Sequence, residues 1–256
     1  MPLTPTLSDA ASIALRCLDL TSLNDGDTPA DIDALCQRAQ TRFGPVAAVC
    51  VWPRFVAQAR GLLPPTIRVA AVANFPDGAL DVARTVRDIS AIQSAGGDEV
   101  DVVLPYRALM QGQTTPCADF LQAARKACGP LTLKVIIESG VLVDHALIAR
   151  ATQLALAAGA DFVKTSTGKT RVSATLDAAT VILQELANSG LPGAGFKASG
   201  GIRSVADAHA YLELASQLLG AQALTPSRFR FGASALLSDI EAVLSGHATA
   251  PSTSTY

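Results

Sequence analysis

Short apolar runs alternate with amphipathic stretches along most of the chain. Eight of these runs have the length of β-strands, and several are rich in Val and Ile. Most are continuously hydrophobic, which is typical of strands covered on both faces in a parallel sheet. The predicted strands lie at 14–20, 46–52, 67–75, 99–105, 131–139, 161–167, 195–201 and 229–234.

The stretches between these runs have the features of helices. The segment after residue 26 offers Asp27 or Thr28 as an N-cap and carries Pro29 near its first turn. The segment 80–97 repeats apolar residues with a helical period and ends on two glycines, which suit a helix C-terminus.

Two junctions follow the same plan, SAGGDEVDVV at 94–103 and AAGADFVKTS at 157–166. Each runs from a helix end through glycine to an acidic residue and a strand, which indicates repeated helix-to-strand units. Eight strands that alternate with helices predict an α/β protein with one closed (β/α)₈ TIM barrel. An open doubly wound sheet is the rival, weakened by the strand count and by the absence of a GxGxxG turn after the first strand. The predicted organisation is an N-terminal segment at 1–13, a single barrel domain at 14–245 and a polar tail at 246–256.

Composition, net charge and cysteine spacing limit the classes of protein to which this chain can belong. Hydrophobic residues make up 49% of the 256 residues and charged residues only 16%, which is enough apolar material for one large core. A formal net charge of −2 argues against a nucleic-acid partner. No apolar run approaches the roughly 20 residues that cross a bilayer, and the first residues lack the blocks of a signal peptide. The five cysteines contain no CxxC pair, which favours reduced thiols and a cytoplasmic protein.

Four charged residues interrupt four consecutive apolar runs. Asp101, Lys134, Lys164 and Lys197 fall in the predicted strands four to seven. If all four side chains point into the barrel, one acid faces three amines. Burial and a neighbouring cation both lower the pKa of a lysine. A neutral amine attacks aldehydes, so this arrangement suits Schiff-base chemistry.

A structural ion-pair network inside the barrel is the alternative explanation. We favour it for Lys134, which sits early in its strand. Lys164 and Lys197 are expected at strand ends, followed by small, polar or glycine residues, where the mouth of a barrel opens. For these two lysines we favour a function.

Glycines follow the last two predicted strands. Gly200 and Gly201 lead through Ser204 into a helical pattern, and Gly232 and Ser234 stand at the turn after the last strand. Glycine lets backbone N–H groups approach an anion, and a helix N-terminus adds a favourable dipole. The loops after strands seven and eight of barrels often bind phosphate. The alternative is that the glycines only make tight turns.

Other polar residues are weaker candidates. Asp19, at the predicted end of the first strand before Thr21, is either a substrate contact or a turn residue. Packing is favoured over a nucleophilic role for Cys50. Glu138 is either a general acid or base, or a cap. The histidines lack metal-ligand spacing and are expected at the surface; they are His145, His209 and His247.

Six segments together resemble the deoxyribose-phosphate aldolase family. They are LDLTSLND (18–25), EVDVVLPYRAL (99–109), LKVIIESG (133–140), DFVKTSTGK (161–169), GFKASGGIR (195–203) and RFGAS (230–234). The resemblance runs in order from about residue 14 to 240. It implies a class I aldolase on a TIM barrel, without a metal or other cofactor. Such an enzyme reversibly cleaves 2-deoxy-D-ribose 5-phosphate to acetaldehyde and D-glyceraldehyde 3-phosphate.

The resemblance also implies roles for individual residues. Lys164 would form the Schiff base, and Lys197 would be the nearby amine that lowers its pKa. Asp101 would act in proton transfer through a water molecule, with Lys197 as the alternative base. Lys134 would support the charge of Asp101. The C-terminal Tyr256 would reach the site and assist proton transfer.

Two further sets of residues match the substrate-binding segments of the family. Those near the sugar are Asp19, Thr21, Cys50 and Thr167. Those near the phosphate are Gly168, Lys169, Gly200, Gly201, Arg203, Gly232 and Ser234. Ala235 stands where relatives often carry a second serine, which removes one hydroxyl contact to phosphate.

Three alternatives to this activity stay open. They are another Schiff-base barrel such as a transaldolase, a metal-dependent aldolase, and a non-catalytic barrel that binds phosphosugars. The scattered histidines offer no ligand cluster for the metal-dependent enzyme. The expected partners are a small phosphosugar and aldehydes, together with a second copy of the chain in a homodimer.

Overall fold

A closed barrel of eight parallel strands forms the centre of the molecule. The structure, a computed structural model, describes residues 6–246. Each strand pairs with its two neighbours in chain order, and the last strand pairs with the first. The predicted (β/α)₈ TIM barrel is therefore confirmed. Tyr256 and the rest of the predicted tail beyond Gly246 lie outside the described residues.

Each of the eight predicted runs contains one barrel strand. The strands are β1 Leu18–Thr21, β2 Ala48–Val51, β3 Arg68–Ala73, β4 Glu99–Val103, β5 Thr132–Ile136, β6 Phe162–Lys164, β7 Gly195–Ser199 and β8 Phe229–Ala233. A pair of two-residue strands, Gln40–Thr41 and Gly44–Pro45, forms a small antiparallel hairpin that the pattern did not predict. The observed strands are shorter than the runs because the loops at the barrel mouth are also buried.

Eleven α-helices lie among residues 6–246, and none of them is long and apolar enough to cross a membrane. They are α1 Leu7–Arg16, α2 Pro29–Arg38, α3 Val56–Leu62, α4 Val82–Ser94, α5 Tyr106–Met110, α6 Thr114–Cys128, α7 Ser139–Leu142, α8 His145–Ala157, α9 Leu176–Asn188, α10 Val205–Leu219 and α11 Leu236–Leu244. Short 3₁₀ helices cover Pro53–Phe55 and Ala221–Ala223. Thr28 caps α2, which decides between the two predicted caps.

The first helix corrects the prediction for the N-terminal region. Thr6 and Asp9 form a capping box that starts α1, and the buried alanine face of this helix packs against α10 and α11. Residues 14–16, predicted as the start of a strand, are the last turn of α1. The helix therefore crosses the position predicted as the start of the barrel domain. Its small apolar residues fit a helix face as well as a strand, so the pattern was ambiguous there.

The two similar junctions in the sequence have the same structure. In each, an aspartate just before a strand accepts hydrogen bonds from a backbone N–H of the neighbouring strand and from an arginine of the helix that precedes that neighbouring strand. The contacts are Asp98 with Val69 N (2.8 Å) and Arg60 (2.9 Å), and Asp161 with Leu133 N (2.8 Å) and Arg125 (3.0 Å). These partly buried ion pairs join helix to barrel at the N-terminal ends of the strands.

The N-terminal end of the barrel interior contains both apolar and charged side chains. The ring of Phe162 lies there, and the guanidinium of Arg230 lies 5.6 Å from its centroid. Gly195 makes room for this ring, since an ideal Cβ at that position would lie 2.5 Å from Phe162 Cε1. Above this level the barrel is filled by charged side chains, which form the candidate site.

Candidate active site

Six buried charged side chains form a closed ring inside the barrel. The ring alternates in sign and consists of Asp101, Lys134, Glu99, Arg230, Asp19 and Lys197, in that order. Its successive contacts are Asp101 Oδ1 to Lys134 Nζ (2.8 Å), Lys134 Nζ to Glu99 Oε2 (2.5 Å), Glu99 Oε1 to Arg230 Nη2 (2.9 Å), Arg230 Nη1 to Asp19 Oδ1 (2.5 Å), Asp19 Oδ2 to Lys197 Nζ (2.5 Å), and Lys197 Nζ to Asp101 Oδ2 (2.8 Å). We call this set the charged ring.

Lys164 is attached to the charged ring but is not part of it. Its Nζ donates to Asp101 Oδ2 at 2.8 Å, the same oxygen that accepts from Lys197. The charged ring is balanced by itself, with three carboxylates against three cationic groups. A protonated Lys164 would therefore add one uncompensated positive charge to a buried site, which is costly. Its neutral form balances the cluster.

The pKa directions agree with this charge count. Burial lowers the pKa of Lys164, the carboxylate of Asp101 raises it, and the cation of Lys197 lowers it, so that the pKa lies below its usual value. Burial acts in the same direction on Lys197, but Asp101 and Asp19 outweigh it and raise the pKa of Lys197. The two amines therefore differ in the direction of their pKa shifts: the pKa of Lys197 is raised and that of Lys164 is lowered.

Neighbouring cations lower the pKa values of Asp101 and Asp19, two carboxylates of the charged ring. Burial favours the protonated form of Asp101, but Lys134, Lys164 and Lys197 outweigh it and hold its pKa well below the usual value. Burial acts likewise on Asp19, where Lys197 and Arg230 lower the pKa. Both oxygens of Asp101 are occupied by amines, so this residue is the point where the charged ring meets Lys164.

Strand register brings these groups together and corrects two predicted positions. Lys164 ends β6, as expected, and pairs with Lys197 in the sheet. Lys197, however, is the central residue of β7 rather than its end. Asp19 is the second residue of β1, and its carboxylate is wholly buried against two cations, so it is not a turn residue. Lys134 lies within β5 beside Asp101, as predicted for a supporting charge.

Gly232 has a packing role that the sequence did not indicate. The prediction placed Gly232 at the turn after β8, but it is buried within the strand, between the strands that carry Asp19 and Lys197. An ideal Cβ there would lie 3.0 Å from Lys197 Cε and 2.5 Å from Ser199 Oγ. The absence of a side chain lets Lys197 reach across β8 to Asp19.

The remaining residues predicted near the sugar lie around this cluster. Cys50 is buried in β2, with Sγ 4.0 Å from Asp101 Oδ2, and burial raises the pKa of its thiol. The packing role that we favoured therefore fits. Thr21 ends β1 and is half-buried, and its hydroxyl donates to the carbonyl of Asp19 at 2.8 Å.

Glu138 organises the loop after β6. Its buried carboxylate accepts from Thr167 Oγ1 at 2.5 Å and from Thr167 N at 3.3 Å. Thr170 Oγ1 lies 3.3 Å from the same carboxylate. Glu138 makes no side-chain hydrogen bond to the start of α7. Of the two roles considered from the sequence, this geometry favours a structural one, since the carboxylate holds the backbone that carries Thr167 and Gly168.

Three of the predicted phosphate-side loops converge. Gly200 N donates to Gly232 O at 3.4 Å. An ideal Cβ on Gly200, whose φ is +85°, would lie 3.3 Å from Gly168 Cα and 2.6 Å from both Cβ and Oγ of Ser173. The loops after β6 and β7 therefore meet the end of β8 at Gly200, where a side chain would force them apart.

The helix after β8 is open at its N-terminus, whereas the helix after β7 is not. Ser204 and Asp207 form a capping box on α10, but no side chain within residues 6–246 caps α11. Uncapped N–H groups and the helix dipole favour an anion at this position. Five of the residues predicted on the phosphate side are exposed in the loops after β6, β7 and β8: Gly168, Lys169, Gly201, Arg203 and Ser234. Lys169 Nζ lies 3.4 Å from Asp25 Oδ1, a contact that links the first and sixth βα loops.

We expect Gly200→Ala to weaken binding of a phosphorylated substrate. The new methyl group would meet Ser173 in a backbone conformation that L-residues rarely adopt, and the loops would separate. KM for the phosphosugar should rise about tenfold, with a smaller change for unphosphorylated deoxyribose. Steady-state kinetics with both substrates measure this. Gly190→Ala is the matched control, since Gly190 has φ +70° and no atom within 4 Å of its ideal Cβ; an equal effect there would contradict the assignment.

Sequence reasoning missed Glu99 and Arg230. Both are charged residues in buried strands, and each lies two residues from a predicted site residue, Asp101 and Gly232 respectively. Since alternate strand residues share a face, both should have been predicted to point into the barrel. Their contact with each other could not be inferred, because it joins two strands that are not neighbours in the barrel.

Comparison with known proteins agrees with this geometry. A family model described as DeoC/LacD family aldolase matches residues 13–242. The chain belongs to this family of aldolases. A deoxyribose-phosphate aldolase of Agrobacterium fabrum is 50% identical over 251 residues, which cover 97% of this chain and 96% of the relative. The family predicted from the six segments is confirmed.

Solved structures in the family share the barrel. A candidate deoxyribose-phosphate aldolase from Coccidioides immitis superposes with a TM-score of 0.81 at 29% identity, over 95% of this chain and 91% of the other. A candidate from Toxoplasma gondii gives a TM-score of 0.85 at 24% identity, over 94% and 98% of the two chains, and this likeness concerns the fold alone. In the part of the chain described here, no group of three or more His, Cys, Asp or Glu is arranged to hold a metal ion.

Proposed function

We propose that the protein is a class I aldolase that reversibly cleaves 2-deoxy-D-ribose 5-phosphate to acetaldehyde and D-glyceraldehyde 3-phosphate. The 50% identical relative bears the name of this activity over nearly the same length. The observation that carries the proposal is the position of Lys164, a buried amine attached to a charge-balanced ring. A role in the catabolism of deoxyribose follows from the reaction.

The first step is attack of neutral Lys164 Nζ on the substrate aldehyde. Loss of water from the adduct gives an iminium ion, whose positive charge accepts electrons from the adjacent carbon framework. A base removes the proton of the C3 hydroxyl, the C2–C3 bond breaks, and D-glyceraldehyde 3-phosphate leaves. The enamine that remains is protonated at C2, and hydrolysis releases acetaldehyde and regenerates the amine.

Asp101 with a bound water is our choice for the base, and Lys197 is the alternative. The low pKa of Asp101 makes it a weak base for direct proton abstraction. We therefore propose that its carboxylate orients the water and passes the proton on without retaining it. Lys197, whose pKa is raised, serves as the permanent cation that keeps Lys164 uncharged.

The phosphate of the substrate is proposed to bind at the three glycine loops and the uncapped start of α11. Support comes from the convergence of Gly168, Gly200 and Gly232 and from the exposed Lys169 and Arg203. Binding energy from this remote group would position the reacting bond over Lys164. Ala235, the N-cap of α11, offers no hydroxyl there.

Three further expectations belong to the same proposal. Tyr256 would assist proton transfer at C2, the protein would form a homodimer, and it would act in the cytoplasm. The five free cysteines, all buried, are consistent with a reducing compartment. Truncation of the terminal tyrosine and analytical ultracentrifugation test the first two.

A coupled assay with 2-deoxy-D-ribose 5-phosphate in the presence of EDTA tests the activity. We expect formation of both aldehydes at a rate that EDTA does not change. Loss of activity with EDTA would favour a metal-dependent aldolase. Binding without turnover would favour a non-catalytic barrel, and turnover only with longer keto-sugar donors would favour a transaldolase.

We expect Lys197→Met to shift the activity to higher pH. Removing the cation next to Lys164 raises the pKa of that amine, so the neutral form appears only at higher pH. The acidic limb of the kcat/KM profile should move up by about one pH unit or more. A pH–rate series on this variant and on Lys126→Met, which changes an exposed helical lysine, measures the shift. An acidic limb that stays in place in a folded Lys197→Met protein would contradict the assigned role.

A further inference from the structure

We propose that Glu99 and Arg230 are positioning residues for the aldol reaction, acting through the charged ring from the end of the barrel opposite to Lys164. They hold Lys134 and Asp19 in place, so that Asp101 shares the charge of Lys134 with a second carboxylate while it contacts Lys164. The inference rests on the proposed Schiff-base function of Lys164. It assigns a catalytic consequence to two residues that the substrate does not touch.

The contacts that carry this proposal are direct and buried. Arg230 is 5% exposed and Glu99 is 2% exposed. Arg230 donates to Glu99 and Asp19, and its Nε also donates to the carbonyl of Pro226. Glu99 in turn accepts from Lys134. Each of the two residues thus bridges two members of the charged ring, and removing either one opens it.

Opening the charged ring changes the amount of positive charge that Asp101 must balance. Without Glu99, Lys134 keeps Asp101 as its near carboxylate, with Asp19 more distant at 3.7 Å. Asp101 is then drawn toward Lys134, and the cluster gains a net positive charge. Without Arg230, Asp19 keeps only the lysines as partners, and the cluster gains a net negative charge. The two losses act on Lys164 with opposite signs.

Glu99 and Arg230 also line a cavity of about 760 Å³ at the N-terminal face of the barrel. The cavity is bordered by Arg68 and Asp161 at the strand starts and by Ser12 on α1. It lies away from the mouth where Lys164 ends β6. A glutamine introduced at position 99 or 230 can be hydrated from this side, so substitution there does not leave a new polar group without a partner.

Titratable and charged side chains from several strands surround Lys164. These groups are Asp19, Cys50, Glu99, Asp101, Lys134, Lys197 and Arg230, with Glu138 in the loop after β5. Glu99 and Arg230 carry opposite charges, and each can be substituted without changing Asp101, Lys197 or Lys164. The two substitutions should therefore shift the pKa of Lys164 in opposite directions, and this can be tested.

The test is the pH dependence of adduct formation on Lys164. Acetaldehyde and cyanoborohydride are added over a pH series, and the initial rate of labelling at Lys164 is read by peptide mass mapping. Glu99→Gln should move the midpoint of labelling to lower pH and Arg230→Gln to higher pH, each by about half a pH unit or more. The double variant should return close to the wild-type midpoint. Arg68→Gln removes an exposed cation at the same cavity and should leave the midpoint unchanged.

Each outcome separates this inference from the proposed function. If the wild-type protein forms no adduct on Lys164, the Schiff-base function fails. If the wild type forms the adduct but Glu99→Gln and Arg230→Gln shift the midpoint in the same direction or not at all, the inference fails and the function stands. Should one single variant not fold, the sign of the shift in the other decides.

Discussion

Lys164→Met is expected to lower kcat/KM by about four orders of magnitude or more. The thioether cannot add to an aldehyde, and no other lysine of the cluster is released to replace it. Lys134 contacts Glu99 and Asp101, and Lys197 contacts Asp19 and Asp101, so both are held as cations. Burial of an apolar side chain in place of a neutral amine leaves the charged ring balanced.

The same substitution should leave the fold intact or stabilise it. Replacing a buried amine by an apolar group of similar size removes a desolvation cost. Activity and chemical denaturation of Lys164→Met are compared with those of Lys126→Met, an exposed residue near the end of α6. Activity within tenfold of wild type in a folded Lys164→Met protein would contradict the covalent role.

Asp101→Asn is expected to damage both activity and stability. Asp101 accepts hydrogen bonds from three amines, and an amide can neither balance their charge nor accept all three bonds. Breaking a buried ionic cluster by removing one partner costs about 3–5 kcal/mol. Loss of proton transfer through a bound water should lower kcat/KM by about 10² to 10⁴-fold.

Two measurements separate these effects. Equilibrium unfolding in urea gives the stability loss, and single-turnover kinetics under conditions where the variant is folded give the catalytic loss. Asp177→Asn is the control, because this aspartate is 74% exposed and pairs with His145 at the surface. A folded Asp101→Asn protein with near-normal kcat would transfer the proton-relay role to Lys197.

The sequence predicted the barrel well because its strands are buried on both faces. Each of the eight continuous apolar runs contains a strand, and glycines or caps marked many of the helix ends. The first run extended too far because residues 14–16, Ala-Leu-Arg, carry no signal that separates a helix from a strand. Strand bounds were also too wide at the barrel mouth, where loop residues such as Thr165 and Ser166 are buried as deeply as the strand.

The candidate site was predictable where neighbouring strands carry it. Asp101, Lys134, Lys164 and Lys197 lie on consecutive strands, so counting strands was enough to bring them together. The closing half of the charged ring was not predictable in this way. Asp19 reaches Lys197 across β8, and this contact depends on the missing side chain of Gly232, which three-dimensional packing alone reveals.

The central claim is that Lys164 alone among the buried lysines is uncharged near neutral pH. The chain has only five lysines, so isotope labelling at lysine Cε and Nζ gives a spectrum simple enough for NMR titration. Lys164→Met and Lys197→Met identify two of the signals. We expect the Lys164 signal to titrate at a pH below that of a free lysine side chain, while Lys134 and Lys197 remain protonated to the end of the folded range. A Lys164 signal that titrates like a free lysine, or a Lys197 signal that titrates before it, would contradict the account.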